Sequence, residues 1–396
     1  MAYLLGLVAF SLTLASGTAF AQTSCLCDGL AGFIVESPYF GVEAAEVLCG
    51  TDGGDFIYGA GGDDVICGFG GDDVLVAGPG DDRIFGDLGD DIILSGFAPL
   101  EGGGDETIFA GPGFDVVFSG SGNDMISGEG DADRILSGSG SDTVLGGGGN
   151  DFIDCGGTPP VPEGVPDDVV MGEAGADRIR VHGGTDMVLG GGGSDRIDGG
   201  AHSDMIEGGA GDDRIDAGTG LVQSTTGGIG ADNICSHAAV DTISGGDDDD
   251  ILRLGTGSGS GFCLDGDDFF AFAADVALGS SDGGDGNDTL TNFGAFVVAV
   301  GRDGMDQITF SDVAFAFGCG NDDNDTLAAP GVGFHFLEGG SGTDELDGGD
   351  FVDFLHGGPD GQDDCDGNGQ ADACDPSCEI RTSCAVIAFV ETACFL

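Results

Sequence analysis

The chain has 396 residues, 83 of them Gly and 72 Asp or Glu, against nine basic residues that are all Arg, giving a formal net charge of -63. Such a charge repels itself in any compact state, so a fold that gathers these carboxylates needs counter-charge from bound divalent ions; with no basic patch to neutralise phosphates, nucleic acid and anionic membrane surfaces are excluded as partners. High Gly and high charge would read as disorder, but 40% hydrophobic content requires that apolar residues be buried at some regular spacing.

Residues 1–21 form an apolar run ending in Ala19-Phe20-Ala21, a small-residue cleavage pattern before Gln22. This predicts a secretory signal peptide. The lack of a basic start leaves a retained anchor as the alternative, and Gln22-Thr23-Ser24 is a poor context for a lipid on Cys25. Thirteen Cys agree with export to an oxidising compartment, and the odd count leaves one unpaired or bonded to another chain. No other segment is long and apolar enough to cross a bilayer, so no span is expected after signal cleavage. Residues 22–49 precede the repeats and are expected to cap their first turn, because an open solenoid end is an aggregating edge.

From Gly50 the chain repeats every nine residues: GTDGGDFIY, GAGGDDVIC, GFGGDDVLV, AGPGDDRIF and GDLGDDIIL, with Asp sixth and an aliphatic residue eighth. A second run starts at Glu101 with EGGGDETIF and ends with GGGGNDFID; a third runs from Gly172 to Asp216, and echoes follow at Gly227, Gly283, Gly301, Gly339 and Gly348. Such a period signals a repeat architecture. Between the runs, Phe97-Ala98-Pro99-Leu100, the proline-rich stretch before Asp167 and LVQSTT from Leu221 are expected to be loops thrown out from one edge. The repeat array is assigned to 50–253. Residues 254–338, where the period degrades and Phe becomes frequent, are either degenerate turns of the same solenoid or a separate small β-domain. Terminal repeats occupy 339–362 and a Cys-rich tail 363–396.

Each nonapeptide has a turn half and a strand half. Gly at the first, second and fourth positions permits positive φ, so the chain reverses tightly and presents carbonyl oxygens. In the strand half, alternation points the eighth residue inward. The expected fold is all-β: a parallel β-roll with two repeats per coil, about twelve coils and a rod on the order of 60 Å at ~4.8 Å per coil. Stacking aligns the sixth-position aspartates along two edges, Asp55, Asp73 and Asp91 on one and Asp64 and Asp82 on the other, then Asp115, Asp133 and Asp151 against Asp124 and Asp142. The same position holds Asp177, Asp186, Asp195, Asp204, Asp213, Asp232, Asp241, Asp250, Asp288, Asp306, Asp344 and Asp353. Two bare carboxylates at roughly 5 Å repel by about 3 kcal/mol at an effective dielectric of 20. A dication between successive turns reverses that sign, and an all-oxygen cage of carboxylate and carbonyl selects calcium, several ions in all.

These runs resemble the RTX repeat of haemolysin-type proteins, GGxGxDxUx with U aliphatic. The resemblance covers most of 50–253 and implies a parallel β-roll that binds calcium through the sixth-position Asp and the turn carbonyls and folds where calcium is abundant. Members using the one-step export route carry a C-terminal signal and few Cys, so this chain departs from them. A second stretch, Asp364, Asp366, Asn368, Asp372 and Asp375, places oxygen ligands at loop positions 1, 3, 5, 9 and 12, with Gly369 at 6 and the backbone carbonyl of Gln370 at 7. It looks like the EF-hand-type loop of dockerins and thrombospondin type 3 repeats. Cys365, Cys374, Cys378, Cys384 and Cys394 are expected to staple this tail.

Neither an HExxH helix nor a GxSxG elbow is present, and the five His fall singly inside repeats. No segment outside the repeats is large enough for a familiar catalytic domain. Matched Thr and Asn rows, which ice binding would need, are absent from the third and fifth positions. The Phe-rich stretch reads as core filling, or as an apolar or carbohydrate-stacking surface. The sequence therefore points to a non-enzymatic, secreted or cell-surface calcium-binding protein with a structural or adhesive role, whose further partners are surface or matrix polysaccharide or protein. The rival reading is a secreted polysaccharide-acting lyase, epimerase or hydrolase with carboxylates on a solenoid face.

Overall fold

A computed structural model describes residues 24–35, 37–95, 103–156, 166–220, 223–237, 240–255, 258–262, 266–272, 278–350, 352–359, 362–368, 372–374, 376, 378–382 and 385–386. The expected signal peptide, residues 1–21, lies outside them. Two parallel sheets wind about one axis. Each nonapeptide supplies one strand, so a residue pairs with the one two repeats on: Ile66 with Ile84 on the first wall, Ile57 with Leu75 and Leu75 with Ile93 on the second. Of the 40 strands among the described residues, 21 form the first wall and 19 the second.

At about 4.8 Å per step the rod is on the order of 90 Å long, half as long again as expected, because insert-bearing and degenerate segments add coils that a strict period hides. Insertions leave the ladders in register: Ile93 pairs with Val117 and Val144 with Val170. The stretch from Leu221 departs from the loop expectation. Gln223–Ile229 is a first-wall strand with Thr225 in the inward eighth place, a β-branched residue that suits a strand. The buried Gln223 amide is satisfied by donating to the carbonyls of Ala217 and His202.

Strand alternation puts the eighth residue of each repeat inside. Ile57, Leu75, Ile93, Val117 and Ile135 follow one another as fully buried neighbours, each stabilising by about 1.5–3 kcal/mol. The core is built on one such file per wall, with buried residues such as Ala77, Ala110 and Val181 beside it at the corners. Residues 254–338 extend both sheets in the same register, from Leu252 through Phe270, Leu290, Ile308 and Leu327 to Leu346. There the first-wall strands lengthen to eight residues, as in Phe296–Asp303 and Phe315–Asp322. Phe270, Phe272 and Phe310 fill the interior, whereas Phe296, Phe315, Phe317 and Phe334 stand exposed outside.

The N-terminal end is closed by Ser24–Cys27 pairing antiparallel with Leu30–Ile34, which covers Val47–Cys49. Disulfides Cys25–Cys49 and Cys27–Cys67 tie this cap to the first coils. At the other end Cys365 bonds Cys378, and Cys319 and Cys374 are also disulfide-bonded. Cys384 and Cys394 lie outside the described residues, and Cys155 and Cys235 are free thiols. Coiling also overturns the expectation that no basic patch exists: six of the nine Arg stand on the second wall between residues 134 and 253.

Candidate metal centres along two edges

The sixth-position side chains do not point to solvent. Alternation turns them inward at the corner between turn and strand, and Asp73, Asp91, Asp115, Asp133 and Asp195 are all at least 97% buried. In each, Oδ1 accepts the backbone N–H of the sixth residue one coil earlier: Asp55 to Asp73 at 2.7 Å, Asp73 to Asp91 at 2.8 Å, Asp177 to Asp195 at 2.7 Å. The second-wall edge runs unbroken in this way through Asp115, Asp133, Asp151, Asp177, Asp195, Asp213, Asp232, Asp250, Asp288, Asp306 and Asp344. The first-wall edge carries Asp64, Asp82, Asp124, Asp142, Asp186 and Asp204.

On that first edge the row then changes character. Gln223 follows, then Asp241, whose side chain lies outside the described residues, and then Gly259, Gly279, Val297, Ala316 and His335, before Asp353 and Asp372 resume it. His335 is fully buried at the restart. Its Nδ1 lies 2.8 Å from the Gly348 carbonyl and 2.8 Å from Asp353 Oδ1, and its Nε2 3.2 Å from the Val313 carbonyl. Burial works to lower its pKa, but the carboxylate and the two carbonyls hold it above the ordinary value.

The second carboxylate oxygen is the informative atom. Oδ2 of Asp64, Asp73, Asp82, Asp91, Asp115, Asp133, Asp151, Asp195, Asp213 and Asp306 is buried with no hydrogen-bond partner. A buried polar atom left this way costs roughly 1–3 kcal/mol, more when charged. The orphans share their space with carbonyl oxygens. A Cβ added to first-position Gly50 would sit 2.8 Å from Asp55 Oδ2 and 2.6 Å from the Gly68 carbonyl one coil on; on Gly146 it would sit 2.5 Å from Asp151 Oδ2 and 2.8 Å from the Gly172 carbonyl. At Gly50 and Gly146 a side chain would fill this cradle; other repeats carry Ala77, Ala110 or Val181 at the same position.

Burial pushes Asp133 and Asp325 up to about 8, Asp64, Asp73, Asp115, Asp177, Asp232, Asp250 and Asp306 up to about 7, and Asp82, Asp195 and Asp213 up to about 6. The backbone donor on Oδ1 opposes that rise and neighbouring carboxylates add to it. Among the described residues no three His, Cys, Asp or Glu side chains converge on one point. A cation cage here therefore combines one orphaned carboxylate oxygen per turn with turn carbonyls, an all-oxygen donor set that fits calcium and gives zinc or copper no soft ligand.

Sequence reading missed six members of these rows. Glu46, Glu106 and Asp168 belong to the first edge, and Asp268, Asp325 and Asp363 to the second. Glu106 was hidden by its longer side chain; burial and the adjacent Asp124 push it up to about 9. Asp168 follows an insertion, Asp325 and Asp363 follow ten-residue spacings, Glu46 precedes the first repeat and Asp268 precedes Phe270 in the Phe-rich stretch; pairing each acidic residue with the apolar or Cys residue two places on would have found them. A second ladder was also missed. Fifth-position Asp63, Asp72, Asp81 and Asp90 are exposed, and their Oδ1 atoms accept N–H groups one coil later.

The EF-hand-like grouping near the C-terminus is not brought together. Asp364 and Asp366 lie on the second-wall strand Asp363–Asp366, opposite Glu345 and Asp347. Asp372 is buried on the opposite edge, accepting the N–H of Asp353 at 3.1 Å, and the Asn368 side chain donates to Asp347. Gln370 and Asp375 lie outside the described residues. Cys365 and Cys374 occupy inward eighth places, so the solenoid alternation overrides the loop spacing.

A profile of the RTX calcium-binding nonapeptide repeat, four copies long, matches residues 40–68, 68–97, 102–135, 127–157, 167–197, 189–220 and 226–260. Among solved structures, the chain is similar to a hyperactive, Ca2+-dependent, β-helical antifreeze protein from an Antarctic bacterium, at 16% identity and a TM-score of 0.27, over 91% of this chain and 94% of that one. No curated protein matches.

Proposed function

The chain belongs to the family of RTX calcium-binding nonapeptide-repeat proteins, and from that premise we propose that it is a secreted, non-catalytic calcium-binding rod whose coiling is coupled to ion uptake and whose role is structural or adhesive at a cell surface or in a matrix. The observation that carries this reading is the file of buried, partnerless Oδ2 atoms facing first-position carbonyls. Calcium supplies the counter-charge that makes these files tolerable. The chain's own residues do the rest: Oδ1 holds each carboxylate against the neighbouring backbone N–H, glycine keeps the cradle open, and the eighth-position side chain closes the core behind it. An ion that binds only the coiled state stabilises it by mass action, so a calcium-poor interior keeps the chain expanded and a calcium-rich exterior winds it. The excess of carboxylate suits such an exterior, where calcium is abundant.

The test is a calcium titration of the full chain at neutral pH, followed by circular dichroism and light scattering. Expansion and little β signal in chelator, with cooperative gain of both compactness and β signal on adding calcium, is expected. A polypeptide equally compact and β-rich in excess chelator would overturn the reading. Fractionation of producing cells tests the export claim separately.

A further inference from the structure

The nine Arg are too few to matter to the net charge, yet the coil sorts them. Register lines four in one outward file on the second wall: Arg134 pairs with Phe152, Phe152 with Arg178, Arg178 with Arg196 and Arg196 with Arg214. All four Arg are exposed. Among the described residues none has a carboxylate within ion-pairing distance, in a chain that carries 72 acidic residues. Phe152 fills the one gap, its ring centroid 5.1 Å from the Arg134 guanidinium carbon and 5.7 Å from that of Arg178, so the file is continuous.

The flanks favour an anion lying along this file. On the turn side the fifth positions are Ala132, Asn150, Ala176 and Ser194, where earlier coils of the same edge carry Asp72 and Asp90; Asp212 ends the neutral stretch. On the other side the ninth positions read Asp154, Arg180, Asp198 and Asp216, and Arg180, 3.5 Å from Asp154 and 3.4 Å from Asp198, offsets part of that negative charge.

We propose that this file is the binding track for an extended polycarboxylate, an acidic polysaccharide of the polyuronate class lying parallel to the solenoid axis. This deepens the proposed role by naming the partner, and it rests on the calcium-wound coil that sets the spacing. From Arg178 to Arg214 guanidiniums recur at the strand step of about 4.8 Å, close to the length of one extended sugar unit, with Arg134 two steps before Arg178, and their forks match carboxylates in bidentate fashion. Double-stranded nucleic acid places one charge per about 1.7 Å, denser than this file can neutralise and strongly repelled by the rest of the chain. A polyuronate carries one carboxylate per sugar, and its hard oxygens are compatible with the calcium the edges require.

The experiment uses the full chain in calcium, shown to be wound by circular dichroism, with oligogalacturonate as probe and calorimetry or fluorescence anisotropy as readout. Removing one guanidinium should weaken binding roughly two- to fivefold, and the combined Arg134→Gln, Arg178→Gln, Arg196→Gln, Arg214→Gln variant on the order of a hundredfold. Added salt should weaken the wild type more than that variant. Met187→Gln and Met205→Gln, on the opposite wall, keep the affinity unchanged. Equal binding by the combined variant and the wild type, both wound, overturns the proposal and assigns the uronate to the acidic edges through shared calcium. Tighter binding of dextran sulfate, polyphosphate or single-stranded DNA than of the uronate also overturns it. A chain that does not wind in calcium defeats the underlying reading instead, a failure visible before any ligand is added.

Discussion

The coils of residues 50–216 and those of residues 258–341 share one register but solve the same closure problem differently. In the earlier coils both edges carry buried carboxylates and the interior holds little more than one aliphatic side chain per strand, as with Ile66 and Leu75. In the later coils one edge keeps its carboxylates through Asp288, Asp306 and Asp344, while the other reads Gly279, Val297 and Ala316. Phe270 fills an eighth place and Phe272 and Phe310 stand two places beyond one, where the earlier coils carry glycine or another smaller residue, and the first-wall strands lengthen to eight residues. The two edges of a coil are therefore independent. One carries orphaned carboxylates that call for a counter-charge, and the other avoids the need by placing small or apolar residues where the carboxylates would stand.

This comparison can be broken most directly by removing calcium. At neutral pH in excess chelator, amide exchange should lose protection throughout residues 50–216, where every coil holds two uncompensated rows. Phe296–Asp303, Phe315–Asp322 and Phe334–Ser341 should retain more of theirs, because their first edge has no carboxylate row to repel. Mass spectrometry of exchanged peptides resolves the two regions. Uniform loss along the chain would mean that the apolar edge contributes nothing of its own.

A proton can replace the ion at the same carboxylates, which gives a second and smaller effect. Burial raises the pKa of Asp133 to about 8 and of Asp64, Asp73 and Asp177 to about 7 in the coiled chain, above the ordinary value of about 4 in the unfolded one. Groups raised in this way contribute stability that is fully present below the unfolded pKa and lost as pH rises through the folded one. In calcium-depleted buffer the chain should therefore gain β structure on acidification from about pH 8 toward 4, with most of the gain in the two-row region. In saturating calcium the carboxylates are held ionised and the dependence should reverse, with stability falling as acid displaces the ion. Circular dichroism across that window checks both signs, and a calcium-free chain that stays expanded at pH 4 would contradict the assigned burial.

Much of this was legible in the sequence. The nine-residue period, sixth-position Asp and eighth-position Ile or Val dictated the fold and most of both rows, since the constraint repeats in every coil and no single residue has to be read correctly. What failed were features set between coils. Arg134, Arg178, Arg196 and Arg214 are spread over 81 residues of chain and become one file only through the register of stacking. The stretch LVQSTT from Leu221 breaks the period and reads as a loop, though Gln223 to Thr226 open a first-wall strand that continues into the repeat at Gly227. The spacing from Asp364 to Asp375 imitates a single loop, yet Asp363 and Asp372 belong to opposite edges, a distinction that only the inward turn of Cys365 and Cys374 decides.

The smallest effects come from single rungs, and they sharpen the comparison most. Asp73→Ala removes the acceptor of the Asp55 N–H, and Asp82→Ala that of the Asp64 N–H, leaving one buried donor unpaired at a cost of about 1–3 kcal/mol. Each also takes one carboxylate oxygen from the cradle, so each should raise the calcium concentration at the folding midpoint. Val297→Asp makes the opposite change, adding a carboxylate to the dry edge between Gly279 and Ala316, neither of which can share an ion with it. Its destabilisation should be of similar or greater size, since a lone buried charge has no partner, but added calcium should not reverse it. Calcium titrations by circular dichroism on the three variants separate these outcomes. Full rescue of Val297→Asp by calcium would mean that a cage needs only one carboxylate, and the dry edge would then be an accident of sequence and not a different way of closing the coil.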